Sequence, residues 1–149
     1  MGKLQVTIDC ADPGVMTRFW ALALGYRLED PPEGFTNWKS YWLSIGVPED
    51  ELEGAEDGPD SIVDPDGIGP RIWFQIVPET KIVKNRIHFD VDAAGGRSVP
   101  LATRRERIGA EVEKLVAAGA TKVRVLEHDG SDHYGVLMHD PEGNEFCLH

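Results

Sequence analysis

The side chains able to do chemistry fall at alternate positions of short, strand-like segments. In residues 4–10, Gln5, Thr7 and Asp9 share one parity, opposite Leu4, Val6, Ile8 and Cys10. Residues 86–91 put His88 and Asp90 on one side, and residues 145–149 set Glu145, Cys147 and His149 against Phe146 and Leu148. Residues 71–77 offer Trp73 and Gln75 opposite Ile72, Phe74 and Ile76. Asp90 and Glu145 are the candidate catalytic acids if burial raises their pKa; the plainer reading is a solvated or ion-paired carboxylate. His88 is suited to ligand contact or proton transfer, or to a simple hydrogen bond with Asp90. Cysteines such as Cys147 are more often small inert hydrophobes than nucleophiles, and no neighbouring residue marks a lowered thiol pKa.

These polar parities either line a ligand pocket or are the wet faces of sheets packed on one side only. Trp38, Trp42 and Trp73 gain little from open water, which favours a covered aromatic cavity or a subunit contact. The candidate ligand-binding set is therefore Gln5, Thr7, Trp42, Trp73, Gln75, His88 and Cys147. A second polar group, His128, Asp129, Asp132 and His133, reads as a loop held by its own hydrogen bonds, or as a metal site if the loop folds back. Arg104, Arg105 and Arg107 either pair with nearby acids or form a basic rim. Phosphate loops of the GxxxxGK form, HExxH, GxSxG and CxxC are all absent, so nothing points to nucleotide, peptide or acyl-ester chemistry.

The elements that must position these residues repeat in order. Residues 4–10 form a strand, after which Asp12 caps a helix with Pro13 in its first turn. Val15, Met16, Phe19, Trp20, Ala23 and Leu24 form its apolar stripe and Gly25 stops it. Strands are expected at 26–29, at 40–45 from the alternation of Tyr41, Leu43 and Ile45, and at 71–77. Between the last two, residues 48–70 carry nine acidic side chains and no Lys or Arg, the composition of a solvated loop or a lid. The second half runs strand 86–91, helix 103–118, then strands at 122–126, 134–139 and 145–149. Pattern rather than identity supports a duplication.

The chain has 149 residues, enough for a single compact domain spanning 1–149, with module one at about 3–78 and module two at about 85–149. A net charge of −11 repels nucleic acid and anionic membrane surfaces, so neither is an expected partner. With no apolar stretch long enough to be a leader or a span, and two cysteines read as free thiols, a cytoplasmic location is expected.

The chain resembles the glyoxalase / bleomycin-resistance / extradiol-dioxygenase (vicinal oxygen chelate) superfamily, and particularly its small glyoxalase-like branch. The resemblance rests on Val6-Thr7-Ile8-Asp9-Cys10-Ala11-Asp12-Pro13, Phe19-Trp20, Leu24-Gly25-Tyr26, the segment from Lys84 to Val91, Gly119-Ala120-Thr121, and Asp140-Pro141-Glu142-Gly143-Asn144-Glu145-Phe146-Cys147-Leu148. It implies an α+β fold in which two βαβββ modules form a curved mixed-sheet cup backed by helices, and a homodimer. The function implied is binding of a small organic molecule in that cup by a divergent lyase or isomerase, or alternatively non-catalytic sequestration of a drug or metabolite. The family's metal positions correspond to Gln5, Gln75, His88 and Cys147. Metal-dependent members usually carry His or Glu there, and only His88 keeps such a residue, so the expectation is no cofactor or an unknown one, with a divalent metal possible but disfavoured.

Overall fold

The computed structural model describes residues 2–52 and 58–149, which gather into two compact units, Met1–Thr80 and Lys81–His149. In the first, β1 (Gln5–Cys10) leads into α1 (Pro13–Leu24), then β2 (Arg27–Leu28), α2 (Trp38–Ser44), a 3-10 turn at Glu49–Leu52, β3 (Ser61–Val63) and β4 (Arg71–Ile76). The second runs β5 (Phe89–Val91), α3 (Leu101–Ala117), β6 (Thr121–Glu127), β7 (Tyr134–His139) and β8 (Glu145–Leu148).

Helix α1 begins and ends where local chemistry dictates. The Asp12 carboxylate accepts the Val15 amide at 2.9 Å, Pro13 costs nothing in a first turn whose N–H groups are orphaned, and Gly25 closes the helix at φ 69°. Its inward face buries Met16, Phe19 and Trp20 against Ile62, Ile72 and Phe74 of the sheet, with Phe19 and Trp20 meeting edge to face at 5.3 Å. In the second unit α3 presents Ile108, Val112 and Leu115, and the sheet supplies Val136, Met138, Phe146 and Leu148. No side chain caps the start of α3, which follows Pro100. The three arginines of its first half are consumed structurally. Arg104 is buried and donates to the carbonyls of Val99 and Asp132 and to the Asp132 carboxylate. Arg105 pairs with Glu127 and lies over the Tyr134 ring, and Arg107 donates to the Ala94 carbonyl.

Each unit builds one four-stranded mixed sheet of the same design, ordered β1-β4-β3-β2 and β5-β8-β7-β6. The first and last strands of a unit pair in parallel and the others antiparallel. The expected βαβββ repeat is present, but the expected cup is not: neither sheet is closed or strongly curled. Each ends on strands with one neighbour in its own sheet, and closing a barrel requires a continuous stagger around the ring, which four strands with free edges do not provide.

Two local expectations also change. Residues 40–45, read as a strand from their period-two apolar pattern, are mostly helix α2. There Asn37 accepts the Ser40 amide at 2.8 Å, and Trp38 and Trp42, one turn apart, stack at 5.6 Å. A seven-residue segment carries too few repeats for two periods to be told apart. Strand β3 lies inside the acidic stretch read as loop; its three residues, with Ser61 and Ile62 fully buried, are too short to show alternation. The acidic residues of 53–57 lie outside the described residues. No helix among the described residues is long and apolar enough to cross a membrane.

Candidate functional site

In the first unit the parallel pairing of β1 and β4 sets Gln5 beside Arg71, Thr7 beside Trp73 and Asp9 beside Gln75. Gln5 is engaged in structure: its carbonyl oxygen accepts from Arg71 at 3.2 Å, while the same guanidinium reaches Glu29 at 2.6 Å and the Ser61 hydroxyl at 2.7 Å. Ser61 in turn donates to Asp60 at 2.9 Å, and the other oxygen of that carboxylate accepts the indole N–H of Trp73 at 2.8 Å. Half-buried Asp60 is thus held by two neutral donors.

Helix α2 adds the aromatic side. The Trp38 indole donates to the Glu29 carbonyl at 3.0 Å and stacks on Trp42, and Tyr41 packs against both. Between this layer, the first turns of α1 and the end of β4 lies a cavity of about 690 Å³, whose walls include Trp38, Trp42, Trp73, Gln75, Asp60 and Arg18. Of the residues expected to bind ligand, Trp42, Trp73 and Gln75 border it; Gln5 and Thr7 do not. Asp60 and Arg18 had no signal in the sequence. Asp60 was one acid among nine in a polar stretch, and Arg18 one exposed position of an amphipathic helix.

In the second unit His88 falls immediately before β5, and the β5–β8 register places Asp90 beside Cys147. Nδ1 of His88 is 3.4 Å from the Asp90 carboxylate, and one ligand atom from each of His88, Asp90 and Cys147 lies within 4.8 Å of the others. This is the one grouping of three or more potential metal ligands among the described residues. The set His128, Asp129, Asp132 and His133 does not form another, since Asp132 is turned to Arg104. Burial, and then the negative charge of Asp90, push the Cys147 thiol up from its ordinary value, so the uncharged thiol prevails unless a cation is bound.

The expectation that disfavours a divalent metal is therefore corrected. Counting only the positions implied by the resemblance left out Asp90, which β-pairing brings to Cys147 and whose carboxylate supplies the negative charge that the two glutamines lack. Imidazole, carboxylate and thiolate together form a donor set that suits zinc.

Glu145 is fixed more tightly than its neighbours. Its carboxylate accepts the Asn85 amide at 2.9 Å and pairs with Lys81 at 3.2 Å. The backbone hydrogen bond from Asn85 is the main reason its pKa falls to about 2, against the opposing effect of burial, and Lys81 lowers it further. That direction is opposite to the one that poises a carboxyl as a proton donor near neutral pH.

Two tandem βαβββ units, each with parallel outer pairing of its first and last strands, define a class of small paired-module proteins. The chain belongs to the glyoxalase-like domain family, whose pattern it matches over residues 5–149, and so to the glyoxalase / bleomycin-resistance / dioxygenase superfamily. It is similar in fold to a glyoxalase/bleomycin resistance protein/dioxygenase family enzyme from Burkholderia phytofirmans PsJN, with 21% identity, 97% of this chain and 94% of that chain covered, and a TM-score of 0.55. It is also similar to the fosfomycin resistance protein FosX from Listeria monocytogenes, with 11% identity, 100% and 92% coverage and a TM-score of 0.60. A further structure of that protein, at 11% identity, 99% and 88% coverage and a TM-score of 0.58, is a complex with Mn(II) and sulfate. No curated protein sequence matches the chain.

Proposed function

We propose that the protein binds a small organic molecule in the cavity of its first unit. The observation that carries this is the roughly 690 Å³ space walled by Trp38, Trp42 and Trp73, a size and composition suited to a drug-sized ligand. In this reading the chain acts as one domain of the small glyoxalase-like branch, as a cytoplasmic homodimer. The closing DPEGNEFCL motif and the two free cysteines support it. The test is a titration with the neutral fluorophore N-phenyl-1-naphthylamine. Saturable binding in the micromolar range, weakened about tenfold or more by Trp42→Ala, is expected; a linear, unsaturated response would overturn the reading.

A second reading, favoured by the grouping of His88, Asp90 and Cys147, is metal-dependent chemistry of the lyase or isomerase type. The imidazole, the carboxylate and the thiolate would hold a dication, which supplies Lewis-acid polarisation of a substrate carbonyl or enediolate oxygen. Asp90 then serves as a ligand, and Glu145, ionised throughout the neutral range, acts as a fixed negative charge and a weak base. Co(II) titration separates this reading from pure sequestration. One equivalent producing a thiolate-to-cobalt absorption band that Cys147→Ser removes supports it, and no band and no uptake of metal rejects it.

A further inference from the structure

The cavity of the first unit carries an uneven charge arrangement. Asp60 is half-buried in its wall, and both carboxylate oxygens are held by neutral donors, the Trp73 indole and the Ser61 hydroxyl. No Lys or Arg among the described residues forms an ion pair with it, and residues 48–70 contain no cation at all. The nearest positive group along the hydrogen-bonded chain, Arg71, reaches Ser61, but its charge is matched by Glu29 at 2.6 Å. The Arg71, Glu29 and Asp60 cluster thus keeps one negative charge at the cavity wall.

Other charged groups border the same space. Lys39 has Glu49 as a counterion at 3.9 Å, while Arg18 and Glu51 are exposed and screened by water. Among the described residues of the wall, that leaves Asp60 as the half-buried carboxylate without an ion-pair partner. The indole N–H groups of Trp38 and Trp73 are already committed, one to a carbonyl and one to the Asp60 carboxylate, so these rings offer the cavity π surface rather than a donor. Donation to an anion also enriches the Trp73 ring in electron density, which strengthens its attraction for a cation.

We propose, resting on the cavity reading above, that this site selects a flat organic cation: an aromatic or heteroaromatic compound bearing a protonated amine or quaternary nitrogen. Asp60 is its counterion, and Trp38, Trp42 and Trp73 are its π walls. Three aromatic dyes of different charge test it: ethidium (cationic), N-phenyl-1-naphthylamine (neutral) and 8-anilinonaphthalene-1-sulfonate (anionic). Ethidium is expected to bind at least about tenfold tighter than the neutral dye, with the sulfonate weakest. Asp60→Asn, which keeps an oxygen for Trp73, should erase the preference for ethidium over the neutral dye, with an unchanged circular dichroism spectrum showing that the variant is folded. Glu113→Gln, an exposed change on α3 that alters net charge equally, should preserve it. An equal loss in both variants would show mere attraction to an acidic protein and overturn the inference. Neutral-dye binding with no preference for ethidium overturns the inference while leaving the cavity reading intact, and failure of all three dyes to bind overturns both.

Discussion

The two units share one topology and differ in what fills the connection between their second and third strands. In the first, residues 29–60 separate β2 from β3 and contribute α2, with its Trp38–Trp42 stack, and Asp60. In the second, residues 128–133 make a short link between β6 and β7, and the largely exposed β6 pairs with β7 along its length apart from a register shift between Lys122 and Arg124. With strand order kept, the longer connection, an insertion relative to the shorter one, builds a cavity wall, whereas the unit with the short link gathers its potential metal ligands on or beside its strands: His88 just before β5, Asp90 in β5 and Cys147 in β8. Loops tolerate such insertion because closure entropy grows only slowly with length.

The comparison breaks most sharply in the cores. Phe74 in β4 and Phe146 in β8 are both fully buried on strands that pair with the first strand of their unit. Truncation of either to Ala should cost about 3–5 kcal/mol in chemical denaturation. In the first unit Phe74→Ala should also weaken neutral-dye binding, because Phe74 borders the cavity, whereas Phe146→Ala should leave the intact first-unit cavity able to bind.

Next in size is the clamp on the short connection. Arg104→Ala strips the donors from two backbone carbonyls and the Asp132 carboxylate, and a loss of about 2 kcal/mol is expected, with faster amide exchange over 128–133. Retention of full protection there would show that the link is held by its turn alone.

Acid should act through Glu145. Its pKa is 4.5 when unperturbed and about 2 in the folded chain, so the stabilisation is complete above the unfolded value and drains away as pH falls from about 4.5 toward 2. Stability measured against pH for Glu145→Gln should lack that part of the acid slope, and an unchanged slope would place it elsewhere. The smallest effect belongs to the helix starts. Asp12→Ala should cost about 1 kcal/mol by removing the bond to the Val15 amide, whereas α3, lacking a side-chain cap, has no equivalent contribution to lose.

Much of the fold was legible because its signals are local. Asp12, Pro13 and Gly25 mark the ends of α1 within a residue, and Ile108, Val112 and Leu115 give the buried stripe of α3. The helix at α2 was misread because Tyr41, Leu43 and Ile45 satisfy a two-residue period while Trp38, Tyr41 and Trp42 satisfy a helical one, and only packing chooses between them. Part of the candidate site was also legible: Trp42, Trp73 and Gln75, which border the cavity, and His88, Asp90 and Cys147, which lie together, are marked by type and parity. Asp60 was not, since a carboxylate among many acids has no distinguishing neighbour until β3 pairs with β4 and brings Trp73 to it.

The sequence by itself determined α1, α3, the first and last strands of each unit, their apolar faces and the family, because capping, periodicity and short motifs act over a few residues. Tertiary structure alone decided that the strands form two open sheets and not a cup, that Asp90 lies beside Cys147, and that one acid of the long connection becomes half-buried with its carboxylate held by Ser61 and Trp73. Those outcomes depend on register and on pairing between distant segments, and no local pattern encodes which partner a polar side chain will meet.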